Sequence, residues 1–301
     1  MTIKDSPRNI LFVVLATLMF GVSCTGKQDK QRQEKEANVV AKKERIVTIG
    51  GLATETVFAL GKGQEVLATD LTGTYPAQTS LLPKVGHRHT ISAEAILSHA
   101  PTVIIFSEGG IKKEIVDQLA GTNTELVVLP STKTVANTKT AIRQIGKALG
   151  AENKVDSLIQ TIEQDLDKVK KTEEKARPKV LFIYARGTGS LNIAGKGTFA
   201  EEMITLAGGQ LAIQEINGFK ALTPEALIKA NPDCLLFFEK GLASLGGKEK
   251  AIEEIPGLKL TTAGKQGRII TMNASLLSSF GPRVGKAAEE LNKKLFNSNP
   301  I

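Results

Sequence analysis

The chain of 301 residues contains no tryptophan, two tyrosines, two cysteines and three histidines. Two cysteines cannot build a disulfide framework or a multi-cysteine metal site, so each thiol needs its own explanation. Two of the histidines fall in one His87-Arg88-His89 run, and the third, His99, sits beside Pro101 away from that pair. They are too few for a dedicated zinc or manganese cluster. No Gly-x-Ser-x-Gly elbow occurs, and Glu108-Gly109-Gly110 and Gly187-Thr188-Gly189 lack the Gly-Lys-Ser/Thr that a phosphate loop requires. With no paired acid and base, an enzyme is the poorer hypothesis and a binding protein the better one. The longest apolar stretch, residues 10–20, is also far short of the roughly 20 residues a spanning helix needs.

A formal charge of +8 resembles a nucleic-acid signature until its distribution is read. Residues 1–10 contribute +1, and residues 25–45, with seven bases against four acids, contribute +3. The remaining +4 is spread over the body without a basic run or interleaved aromatics, so no nucleic-acid partner is expected. Hydrophobic residues make up 41% and charged residues 23%, which is material for a packed core. At about 100 to 200 residues per domain the length suggests two domains, with one long α/β unit as the alternative.

Residues 10–20 follow a weakly basic start and precede Gly21-Val22-Ser23-Cys24, the layout of a secretory signal. A cysteine closing that run resembles a lipoprotein cleavage site, with residues 1–23 removed and Cys24 lipidated; the alternative is an ordinary signal peptide that happens to contain a cysteine. Gly21 stands where leucine is commonest. Residues 24–45, rich in Lys, Gln and Glu, then read as a tether with too little apolar surface to fold. The expected location is extracytoplasmic and periplasmic, at a membrane surface.

The body repeats itself. Ile91-Ser92-Ala93-Glu94-Ala95-Ile96-Leu97 through Phe106 aligns without a gap on Leu222-Thr223-Pro224-Glu225-Ala226-Leu227-Ile228 through Phe237, an offset of 131. In each copy a hydroxyl residue can cap a short helix, an acid occupies its first turn, a proline ends it, and an apolar strand follows. Upstream, Glu55-Thr56-Val57-Phe58-Ala59-Leu60-Gly61 resembles Glu202-Met203-Ile204-Thr205-Leu206-Ala207-Gly208. Two similar α/β lobes are therefore expected, at 46–133 and 176–298. Between them, 134–175 has helical composition, with Ile142, Ile145, Leu149, Val155, Leu158, Ile162, Leu166 and Val169 recurring at helical spacing and Gly150 dividing it. It predicts a stiff bridge, and the cleft between the lobes is the default ligand site.

An extracytoplasmic lipoprotein of two repeated lobes joined by a helical bridge resembles the substrate-binding proteins of ABC importers for iron complexes and cobalamin. Within that family Thr74-Tyr75-Pro76-Ala77, Leu82-Pro83-Lys84-Val85-Gly86, Ala194-Gly195-Lys196-Gly197-Thr198, Leu206-Ala207-Gly208-Gly209, Lys240-Gly241-Leu242 and Phe280-Gly281-Pro282-Arg283 resemble the haem-binding branch. The resemblance implies a class III periplasmic-binding-protein fold, two three-layer α/β lobes bridged by a long helix. It further implies haem as the transported ligand, an ABC permease dimer as partner, a monomer and no catalysis. A ferric-siderophore or cobalamin binder of the same fold is the alternative.

By the same resemblance Tyr75 is the haem-iron ligand, and phenolate suits that role as a hard donor for ferric iron. Its alternative is a turn aromatic packed on a lobe edge. Tyr184, ending a strand-like run, reads as core, with lining of the same cleft as its alternative. Lys240 stands where many relatives place an arginine facing the axial tyrosine across the cleft, and it lacks the planar fork of guanidinium. Arg186, Lys196, Lys220 and Arg283 are expected as donors to the haem propionates, and His87 as a cleft-lining residue or second haem contact, with His89 beside it. Cys234, inside an apolar strand, reads as an inert thiol. Glu94 and Glu225 are matched in the repeat, and the same resemblance implies that they dock on arginines of the permease; their alternative is as first-turn acids favoured by the helix dipole.

Overall fold

The computed structural model describes residues 44–296. Cys24, the 1–23 signal and nearly all of the tether lie outside the described residues. Residues Ile46–Ile49 are apolar or β-branched and all buried, as a strand covered on both faces requires. This strand, β1, pairs in parallel with β2 (Val66–Thr69) on one side and with β3 (Val103–Ser107) on the other. Strand β4 (Glu125–Leu129) completes an all-parallel sheet in the order β2-β1-β3-β4. Parallel neighbours need crossovers, and helices α1 (Gly51–Ala59), α2 (Ala93–Leu97) and α3 (Lys113–Ala120) lie in them.

The 134–175 segment forms two helices, α4 (Val135–Ala148) and α5 (Val155–Asp167), parted at Gly150, whose φ of +58° is a left-handed turn that glycine adopts without strain. Strands β5 (Lys179–Ala185), β6 (Leu191–Ala194), β7 (Gln210–Leu211), β8 (Phe219–Ala221), β9 (Cys234–Phe238) and β10 (Ile269–Met272) form the second sheet. Its order is β10-β9-β5-β6-β8, with β10, β9 and β5 parallel, β6 and β8 added antiparallel, and β7 alongside β5. Around it run α6 (Phe199–Leu206), α7 (Pro224–Ala230), α8 (Glu239–Ser244), α9 (Lys248–Glu254), α10 (Thr262–Lys265), α11 (Ala274–Ser278) and α12 (Val284–Phe296).

The sequence repeat survives as a backbone repeat. Ser92 accepts a hydrogen bond from the Ala95 N–H and Thr223 from the Ala226 N–H, both at 3.2 Å, so each hydroxyl caps its helix. Ala100 (φ +44°) and Asn231 (φ +39°) then turn the chain through the left-handed region just before Pro101 and Pro232. Those two residues also stand 131 apart.

One apolar core runs through the whole assembly. It joins Leu52 and Val57 of the first lobe to Ile142, Ile145 and Ile162 of the bridge, and on to Phe182, Leu236 and Leu291 of the second. Smaller clusters cover the far faces of the two sheets. Leu158, Leu166 and Val169 pack at the edge of the shared core. Helix α12 lies close against α5 because residue 285 is glycine: a Cβ there would stand 2.6 Å from the Ile162 carbonyl oxygen.

Candidate functional site

The chain leaves β2 through Asp70, a carboxylate only 2% exposed. Asp70 Oδ1 accepts the backbone N–H of Gly50 (2.9 Å) and of Gly73 (3.1 Å), and Oδ2 accepts the Thr72 hydroxyl (2.6 Å). One charged group thus ties the carboxyl end of β1 to the turn that follows β2, the place where parallel α/β sheets present residues to ligands. Gly73 admits no side chain, since a Cβ would collide with the hydroxyls of Thr54 and Thr69. Farther on, Lys84 Nζ donates to the carbonyls of Gly73 (3.1 Å) and Thr79 (2.9 Å). Burial pushes the Lys84 pKa down, with the Asp70 charge opposing.

Tyr75 stands at the tip of this braced turn, 44% exposed. Of the two tyrosine hydroxyls, that of Tyr184 accepts a hydrogen bond from Arg186 Nε at 2.8 Å, and that of Tyr75 has no partner among the described residues. The cation against the Tyr75 ring is Arg283, whose guanidinium carbon lies 3.5 Å from the ring centroid. Arg283 follows α11 in the second lobe, and its fork closes on Glu55 of α1 in the first, Nε to Oε2 at 2.8 Å and NH2 to Oε1 at 2.7 Å. Ser275 Oγ sits 3.1 Å from Glu55 Oε1 and 3.0 Å from Arg283 NH2. Glu55 is 4% exposed, and a buried carboxylate persists only where paired and hydrogen-bonded in this way. Because Glu55 lies just past β1 and Ser275 just past β10, the carboxyl ends of the two sheets meet here.

Arg283, read from the sequence as a propionate donor, has its fork engaged by Glu55 and its plane covered by Tyr75. Lys240 lies exposed in the first turn of α8, directly after β9, and is not the cation found on the Tyr75 ring. Lys196 and Lys220 are exposed beside β6 and on β8. Arg186 is exposed at the end of β5, with its guanidinium 5.2 Å from the Tyr184 ring.

An aromatic cluster was not legible in the sequence. Phe182, Tyr184, Phe199, Phe219 and Phe238 come from three strands and a helix; Phe199 and Phe238 stack with rings 5.8 Å apart, and Tyr184 meets Phe238 edge-on at 5.9 Å. Tyr184 and Phe238 mark the carboxyl ends of β5 and β9, and Phe219 remains 43% exposed. Sequence separation hid the group, since only strand register brings its members together.

His87 and His89 face each other, ring centroids 5.4 Å apart, in the loop that returns to β2, where Leu71 N–H donates to the Gly86 carbonyl. Among the described residues no three His, Cys, Asp or Glu side chains gather as a metal site. Cys234 is buried, and burial pushes its thiol up to about 12. Glu94 and Glu225 are both exposed in the first turns of α2 and α7. The backbone N–H at the α2 start, and then Ser92, hold the Glu94 carboxyl below the usual range. No helix among the described residues is long and apolar enough to cross a membrane.

Two α/β lobes on a helical bridge, with an exposed phenol where the carboxyl ends of their sheets meet, define a substrate-binding protein of the two-lobed transport class. The chain belongs to the periplasmic binding protein family, which it matches over residues 46–276. It is similar to the apo structure of the periplasmic heme-binding protein RhuT from Roseiflexus sp. RS-1, with TM-score 0.79 and 36% identity, covering 84% of this chain and 98% of that one. The heme-binding protein BhuT in complex with two hemes aligns with TM-score 0.78 and 30% identity, over 84% of this chain and 97% of that one. An uncharacterized ABC transporter substrate-binding lipoprotein, YvrC of Bacillus subtilis, is 28% identical over 86% of this chain and 82% of its own. The vitamin B12-binding protein of Pectobacterium carotovorum is 21% identical over 85% and 90%. Proteins of this class work with an ABC permease and a small-molecule ligand.

Proposed function

We propose that the protein captures ferric haem through Tyr75 and delivers it to an ABC importer, without catalysis. The observation that carries this reading is the Tyr75 turn: a phenol braced from below, exposed, and with its hydroxyl free of any partner among the described residues. A phenolate is an established axial ligand for haem iron. Phe199, Phe219 and Phe238, the last at the carboxyl end of β9, supply apolar faces suited to a flat macrocycle. Two similar structures are named for heme. Lys240, Lys196, Arg186 and Lys220 remain exposed cations available to propionates, and His87 is an imidazole in the loop that returns to β2. On this reading Cys24 carries the lipid anchor, the molecule acts as a monomer, and Glu94 and Glu225 meet the permease.

The test is an absorption titration of the mature protein with hemin and, separately, with cobalamin. Stoichiometric uptake of hemin with a high-spin tyrosinate spectrum is expected. Tyr75→Ala loses that spectrum and weakens binding by at least the roughly 10- to 100-fold that follows loss of a group that merely orients a metal ligand. An unchanged Tyr75→Ala complex refutes the ligand assignment and moves it to His87 or His89. The B12-binding relatives make cobalamin the second reading, and saturation by cobalamin alone would establish it.

A further inference from the structure

Tyr75 belongs to the first lobe, yet its ring rests on an arginine of the second. Arg283 is fixed before it reaches the ring: Glu55 takes Nε and NH2, and Ser275 takes NH2 again, so the guanidinium plane has one orientation. The backbone is fixed with it. Gly281 lies against Glu55, where a Cβ would be 3.1 Å from Oε2, and the Phe280 carbonyl accepts the Thr138 hydroxyl of α4 at 2.7 Å. The flat face left over, 3.5 Å from the ring centroid, is the surface on which the phenol lies. Lysine would keep the charge but offers neither the fork for Glu55 nor a plane for the ring.

We infer that Arg283 is a positioning residue for Tyr75, with Glu55 and Ser275 as its anchors, so that the orientation of the phenol and the closure of the joint between the lobes are one arrangement. The inference rests on the haem reading for its consequence in ligand binding, and on geometry alone for the placement of the ring. Groups that orient a metal ligand without touching the metal are worth about 10- to 100-fold in affinity.

The experiment uses Arg283→Lys and the double variant Glu55→Leu with Arg283→Met. The latter removes both charges together, because a buried charge left alone would confound the result with unfolding. With no tryptophan and only two tyrosines, the tyrosine band of the near-ultraviolet circular dichroism in a Tyr184→Phe background belongs to Tyr75. Loss of that band in both variants, with cooperative melting retained and hemin dissociation faster by about tenfold, is expected. A wild-type band and wild-type hemin dissociation in both variants overturn the inference and leave the ion pair a structural clasp. Should Tyr75→Ala bind hemin as the parent does, the haem reading fails, and the ligand-free band still decides whether Arg283 places the ring.

Discussion

Asp70 is the hinge pin of the site, and its removal has a calculable cost. The carboxylate is 2% exposed and accepts three hydrogen bonds, two of them from backbone N–H groups, of which that of Gly73 also reaches the Asp70 carbonyl at 3.2 Å. A hydrogen bond to a charged group is worth about 1.5 to 3 kcal/mol net. Three that share one acceptor do not add fully, so Asp70→Ala should cost about 3 kcal/mol. For a chain of this size that lowers the melting temperature by about 6 to 12 °C. Asp70→Asn separates geometry from charge. Both backbone donors already use Oδ1, and the Thr72 hydroxyl can rotate to accept from the new amide, so every contact survives without the ionic character. Its cost should be nearer 1 kcal/mol. Hemin affinity should follow the same order, wild type above Asn above Ala, because Tyr75 hangs five residues beyond this anchor. Thermal melting followed by circular dichroism, paired with hemin titration, measures both. If Asp70→Ala melts with the wild type and binds hemin with the same affinity and spectrum, the turn is held by something else and the account of the site is wrong.

Two further outcomes follow from groups outside the cleft. Glu94→Lys with Glu225→Lys should leave melting and hemin binding as in the wild type while abolishing importer-dependent uptake, through charge reversal against a basic partner; normal uptake with lowered thermal stability would return both acids to a helix-capping role. Cys24→Ser should move the protein from the membrane fraction to the soluble extracytoplasmic fraction, since stable anchoring needs more than one acyl chain at that residue; a wild type that is already soluble refutes the anchor.

Much of the fold was readable because it is local. Ser92 and Thr223 cap helices through neighbours three residues away, and Ile46–Ile49 forms the strand its composition predicts. The repeat extended that reading across 131 residues because both copies obey the same short-range rules. The Tyr75 turn was legible for the same reason, through glycine and proline on either side of the phenol. What supports it was not. Glu55 and Arg283 meet across 228 positions and Gly50 and Asp70 across 20, and no spacing rule couples residues so far apart. Arg283 itself was noticed, as a surface cation for propionates, because its buried partner could not be foreseen. The aromatic cluster escaped likewise, each phenylalanine looking like ordinary core in its own segment.

The uninterrupted core described above has a mechanical meaning. Ile142, Ile145 and Ile162 of the bridge are fully buried in the core that the two lobes share, so the bridge is an interior wall as well as a connector. Swinging the lobes apart about it would uncover that wall to water, at roughly 25 cal/mol for every Å² of apolar surface exposed. Large opening is therefore resisted by the same term that holds the molecule folded, and the two lobes are coupled through one shared interior.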